Sequence, residues 1–213
     1  MRRLKRIVSG IMLTVLIFSM PALVSNIQPV KGWTGTVYIR ADGSIDPPDA
    51  LITYDNITYI LTDNIVSDAN GIVVERDDII IDGAGCTLEG TGAYGSKGID
   101  LSGRTNVTVQ NTQIKNFDYG IKLSSSNYNS ISGNNIANNL YGIWLSSSSN
   151  YNSIIGNNIT NNDQGICLDY SSNNSISGNT IMANGCGIDF DYSNSNRGSS
   201  LNRISFLKIF YQF

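Results

Sequence analysis

The feature that most constrains this chain is a repeat. Between Gly120 and Ile188 the sequence returns every 22 or 23 residues. Gly120-Ile-Lys-Leu123 comes back as Gly142-Ile-Trp-Leu145, as Gly165-Ile-Cys-Leu168 and as Gly187-Ile-Asp-Phe190. Between these stand Ile131-Ser-Gly-Asn-Asn-Ile136, Ile154-Ile-Gly-Asn-Asn-Ile159 and Ile176-Ser-Gly-Asn-Thr-Ile181. A unit this small cannot bury its apolar face alone, so it must stack on copies of itself, which is the logic of a solenoid.

Each unit holds three short apolar pieces. In the unit opening at Gly120 they are Ile121/Leu123, Ile131 and Ile136. The two-residue spacing of Ile121 and Leu123 turns Lys122 to the opposite face, as in a strand. Three brief strands per turn predict an all-β fold, a right-handed parallel β-helix with coils about 4.8 Å apart. A leucine-rich repeat has a similar period but needs a Leu-x-x-Leu-x-Leu pattern and a helical half, and both are missing. The coil opening at Gly142 carries one extra serine between Leu145 and Ile154. The spacing Ile154 to Ile159 still matches Ile131 to Ile136, so the insertion belongs to a turn. Asn134, Asn157 and Asn179 share one coil position, and Asn139, Asn162 and Asn184 another. Stacked amides can hydrogen-bond along the axis and tolerate left-handed turns, so these asparagines are scaffold.

Four segments follow. Residues 1–25 read as a signal peptide: Arg2, Arg3, Lys5 and Arg6 precede an apolar run from Ile7 to Phe18, with small residues near Ser25. Residues 26–70 lack the repeat, and their short strand-like pieces are expected to cap the first coil. Residues 71–200 form the β-helix. Residues 201–213 depart from the repeat and are a C-terminal cap or a truncated end.

Removing residues 1–25 takes away four basic and no acidic residues, shifting the formal charge from −3 to −7. That balance argues against nucleic acid and anionic membrane as partners, since both require a basic surface. The chain contains no histidine. Ser-His-Asp and Cys-His nucleophilic machinery and imidazole-ligated metals are thereby excluded. Three cysteines, Cys86, Cys167 and Cys186, leave at least one unpaired and show no metal-cluster spacing.

These residues resemble the right-handed β-helix repeat proteins of the pectin-lyase-like superfamily, and within it the NosD-type repeat group. Val73-Val-Glu-Arg-Asp-Asp-Ile-Ile-Ile-Asp-Gly-Ala-Gly85 and Gly35-Thr-Val-Tyr-Ile-Arg-Ala-Asp-Gly-Ser44 are similar to the opening of secreted archaeal members. The resemblance implies an extracytoplasmic protein and, for NosD itself, a role in copper delivery to nitrous oxide reductase. The residues speak against copper here. There is no imidazole, the thiols fall on different coils, and Met182 is the only methionine beyond the signal segment.

Alternation places two outward columns on the first strand of each coil. One runs Asp100, Lys122, Trp144, Cys167, Asp189; the other runs Ser102, Ser124, Ser146, Asp169, Asp191. Asp169, Asp189 and Asp191 should therefore cluster. They form either a solvated acidic face or a site for Ca²⁺, which takes oxygen ligands. Asp169 and Asp191 are also the candidates for a carboxylate pair of the glycosidase kind. The polygalacturonase signatures of the superfamily are missing, and Lys122, the available base, lies two coils away. Trp144, Tyr119 and Tyr141 are the candidate binding residues, with Asp189 beside them, because exposed rings can cover the apolar side of a sugar. Tyr128 and Tyr151 form a second aromatic column. Asn56, Asn106 and Asn173 open N-glycosylation sequons. The expectation is an exported, non-catalytic scaffold or glycan-interaction module. The alternatives are a carbohydrate-active lyase or hydrolase and a copper-binding accessory protein.

Overall fold

The computed structural model describes residues 32–198, 202–205 and 209–212. The expected signal peptide lies outside them, as do the first residues of the expected cap and parts of the C-terminal segment. The described chain is a parallel β-helix of strand triplets, as the repeat predicts. Its strands stack into one nine-stranded and two eight-stranded sheets that run the length of the molecule.

The regular coils show why this sequence folds so. Tyr119–Ser124, Tyr141–Ser146, Gln164–Asp169 and Cys186–Asp191 stack in parallel in the nine-stranded sheet. Their inward residues form columns: Ile121, Ile143, Ile166 and Ile188 in one, Leu123, Leu145, Leu168 and Phe190 in the next. The other two sheets contribute Val109, Ile131, Ile154 and Ile176, and Leu88, Ile114, Ile136, Ile159 and Ile181. All are buried. Through the regular coils each column repeats Ile or Leu, with Val109 and Phe190 the departures at the ends, so successive coils fill nearly the same volume.

The repeated glycine is set by close approach rather than by its dihedral freedom. A Cβ on Gly142 would stand 2.5 Å from the carbonyl oxygen of Gly165, and one on Gly165 would stand 2.5 Å from that of Gly187. Backbone meets backbone there, and no side chain fits.

Three asparagine columns line the turns, one more than the sequence reading found. Asn129, Asn152 and Asn174 join the two expected columns, and all are buried. Each amide oxygen accepts from the backbone N–H one coil earlier, that of an asparagine within a column and that of Val107, Thr112 or Phe117 where a column begins. Each amide nitrogen donates to a carbonyl of a neighbouring coil. Buried turn amides that a short loop cannot pair internally are thereby satisfied.

The inserted residue behaves as expected. Ser147 and Ser148 both take left-handed backbone angles, while Leu123 pairs with Leu145 and Ile131 with Ile154 without slippage.

Within the segment expected as a cap, Val37–Ile39, Thr58–Leu61 and Ile65–Ser67 already occupy the three sheet positions. Ile45–Asp46 and Ile52–Tyr54 pair antiparallel with this coil and cover two of its open sheet edges. At the far end, Arg203–Ser205 and Ile209–Gln212 continue two of the sheets in parallel register.

Candidate functional site

The outer face of the nine-stranded sheet brings most of the sequence-predicted residues together. Tyr119 pairs with Tyr141, and Lys122, Trp144, Cys167 and Asp189 form a ladder across successive strands. The rings of Tyr119 and Tyr141 stack at 5.1 Å between centroids, 12° from parallel. Trp144 stands edge-on to both, at 5.2 Å from Tyr119 and 4.1 Å from Tyr141. Lys122 lays its ammonium 4.8 Å from the centre of the Tyr119 ring. All three rings are half-buried, and burial raises both tyrosine hydroxyls above their ordinary range. The result is a fixed, half-buried aromatic cluster flanked by a cation.

One column member departs from expectation. Cys167 lies in the outward ladder but is 6% exposed. Trp144 and Asp189 flank it on the neighbouring strands, and its thiol donates to the Gln164 side-chain oxygen. Burial, with the Asp189 charge second, pushes this thiol well above the usual range, so it stays protonated.

The acidic residues meet as predicted. Asp169 pairs directly with Asp191, and Asp189 lies two residues before Asp191 on the same strand. Desolvation raises the Asp169 and Asp189 carboxyls, and the Asp191 charge adds to both. The Oδ1 of Asp191 is buried and has no hydrogen-bond partner among the described residues. Directly opposed like charges on neighbouring strands are destabilising. Even so, no group of three or more His, Cys, Asp or Glu is placed to hold a metal ion among the described residues. Lys122 belongs to a coil two below Asp169, and its ammonium faces Tyr119.

A second aromatic feature follows the turn after each six-residue strand. Tyr128 and Tyr151 stack at 5.2 Å, 6° from parallel. Tyr170 and Tyr192, which the sequence reading did not single out, stack at 4.8 Å, 10° from parallel. All four are at least half exposed. All four also sit at positive φ: 59°, 59°, 47° and 44°. A left-handed backbone costs a bulky residue about 1–2 kcal/mol. A stacked pair of rings returns about 0.5–1.5 kcal/mol. Asn106 and Asn173 fill the same position as Tyr128 and Tyr151 in other coils, at φ 54° and 59°. Asparagine is therefore the cheaper occupant of that position, and Tyr128 and Tyr151 are held there at a net cost.

The three sequon asparagines Asn56, Asn106 and Asn173 are exposed, each in a left-handed turn. Turn geometry accounts for asparagine at each of them.

This architecture is that of a pectin-lyase-like β-helix. The chain belongs to the NosD family, described as periplasmic copper-binding protein, whose model matches residues 31–202. Among solved structures it is similar to two mutant forms of the periplasmic alginate epimerase AlgG. A double mutant matches at 26% identity and TM-score 0.52, over 61% of this chain and 33% of that one. A single mutant matches at 23% identity and TM-score 0.53, over 62% and 34%. This chain thus spans about a third of the epimerase's length. No curated protein matches it.

The copper in the family's description can be tested against these residues. Copper favours imidazole, thiolate and thioether ligands. The chain has no histidine, and the Cys167 thiol is buried and held protonated. Cys86 lies near Leu61, far along the helix from Cys167 and Cys186, and burial raises its thiol too. The residues do not fit the metal.

Proposed function

We propose that this chain is an extracytoplasmic β-helix that engages carbohydrate on the outer face of its nine-stranded sheet, around Tyr119, Tyr141 and Trp144. The observation that carries this reading is Trp144, wedged edge-on against two stacked tyrosines on a flat, regular surface. Rings locked in this way give apolar area to a sugar without ordering on binding. The periplasmic setting of both the family and the epimerase supports an extracytoplasmic location. The likeness to a polysaccharide-modifying enzyme supports a carbohydrate-acting protein over a bare scaffold.

A second reading is that the chain is itself carbohydrate-active. It is favoured by Asp169 facing Asp191 across one strand spacing, with the Asp169 carboxyl raised. Carboxyls about 5–5.5 Å apart suit a retaining glycosidase.

A glycan array with and without Ca²⁺, followed by product analysis, separates these readings. A binding module retains a glycan unchanged and loses it in Trp144→Ala. An enzyme releases reducing ends or unsaturated uronates and stops in Asp169→Ala. No retention and no release by the wild type overturns both.

A further inference from the structure

Tyr128 and Tyr151 are not explained by the fold, which accommodates asparagine at the same coil position at lower cost. The tyrosines of the turn ribbon form two short columns. Tyr128 and Tyr151 share the coil position of Asn173, and Tyr170 and Tyr192 share that of Ser147, three residues earlier in the coil. Each column is two exposed rings tall, one coil spacing of about 4.8 Å apart. Both lie on the turns that leave the nine-stranded sheet, not on the sheet face that carries Trp144.

The first column ends in an opening. The column Tyr128, Tyr151 continues as Asn173 and then Ser195. Tyr151 stacks on Tyr128 with one ring face, and above its other face the side chains shrink. A groove of about 650 Å³ opens there, lined by Tyr151, Asn173, Ser175, Ser195, Asn196 and Arg197 among others. Arg197 falls in register with Ser153 and Ser175, two coils above Tyr151. It is exposed and makes no ion pair among the described residues. The groove thus presents an aromatic floor, a wall of amides and hydroxyls, and one guanidinium at its far end. Those groups match the apolar face, the hydroxyls and an acidic substituent of a sugar.

We propose that this turn ribbon is a second saccharide-binding site, selective for an anionic saccharide. A sugar ring continues the Tyr128–Tyr151 stack, and its carboxylate or sulfate pairs with Arg197. The proposal rests on the reading of the chain as a carbohydrate-engaging protein, but uses none of the residues of the sheet face. A neutral sugar would use the same floor without the guanidinium, so charge selectivity is the diagnostic property.

The test is calorimetric titration of the full chain with hexauronates, their methyl esters and sulfated neutral hexasaccharides. Tyr151→Asn, Arg197→Gln and Trp144→Ala are compared with the wild type. Tyr151→Asn reproduces the residue that the fold uses at Asn173, so its melting midpoint should equal or exceed the wild-type value. Its affinity for the anionic saccharide should nevertheless fall by about three- to tenfold, as expected for loss of one aromatic contact. Arg197→Gln should lower affinity for the anionic forms and leave that for methyl esters unchanged. Preference for uronate or for sulfate identifies the acidic group, and either supports the site. Wild-type affinity in both Tyr151→Asn and Arg197→Gln, with loss in Trp144→Ala, overturns the ribbon site and leaves the sheet-face reading standing. No saccharide binding by the wild type overturns both.

Discussion

Asn157 turns its side-chain oxygen to both nitrogens of Asn134, 3.0 Å from the backbone nitrogen and 3.1 Å from the amide nitrogen. Its own amide donates to the carbonyl of Ile131 at 2.9 Å and to Asn179 Oδ1 at 3.0 Å. One buried side chain therefore ties three coils together. In Asn157→Ala the partners are stranded away from water, and a buried unpaired group costs about 1–3 kcal/mol. The substitution should destabilise by at least about 2 kcal/mol in a denaturant titration. Asn158→Ala is the control. Asn158 is exposed, and among the described residues its side chain bonds only to Asn135, so its loss should stay within about 0.5 kcal/mol.

Two glycines of one coil should respond differently to the same methyl group. At Gly142 the added carbon meets the Gly165 carbonyl at 2.5 Å, and neither strand can yield without breaking register. Overpacking of this kind costs about 1–3 kcal/mol or more. Gly156 has φ +67° and open space around the site of its missing Cβ. Alanine there pays only the left-handed penalty of about 1–2 kcal/mol. Gly142→Ala should therefore melt below Gly156→Ala in the same thermal scan.

The fold was legible because its determinants are local and periodic. The Gly-Ile-x-Leu strands and the two Asn columns each recur at one spacing, so alignment of the chain with itself places them. The third column, at Asn129, Asn152 and Asn174, has the same spacing but sits among other serines and asparagines, which hide it. The site was legible only in part. Strand alternation predicts that Trp144 faces outward, and it does. Alternation does not report how tall the neighbours are, which is why Cys167 is buried between Trp144 and Asp189. Tyr170 and Tyr192 escaped notice because their significance lies in a backbone angle. Nor can composition show that Tyr128 and Tyr151 occupy a position where asparagine costs less.

The acidic residues should make stability depend on pH in a definite direction. Asp169 and Asp189 have folded-state pKa values raised above the unfolded carboxylate value, chiefly by burial. Such groups contribute stability fully below the unfolded value of about 3.9, and lose it as pH rises through the folded value. At neutral pH both carboxylates therefore oppose folding. Asp189→Asn should raise the melting midpoint at pH 7. That advantage should vanish as pH falls below the carboxylate range, because wild type and variant are then both neutral at this position. A gain that persists at acid pH would show that the carboxylate charge is not its cause.

The thiols offer the sharpest test of the disagreement between this chain and the copper in its family's description. A copper site needs ligands that can be deprotonated and converge. Cys167 is buried with its thiol held protonated, Cys186 on the neighbouring strand is the one thiol near it, and Cys86 lies far along the helix, so among the described residues no set of three ligands converges. Cys167 should react with a thiol reagent far more slowly in the folded chain than in denaturant, since the thiolate is the reactive form. After exposure to Cu(I) or Cu(II) and passage over a chelating resin, the folded chain should retain no stoichiometric copper. Replacing all three cysteines by serine should leave that result unchanged. One retained equivalent of copper, lost on Cys167→Ser, would mean that the thiol can open to a ligating geometry. The mismatch between these residues and copper would then be overturned.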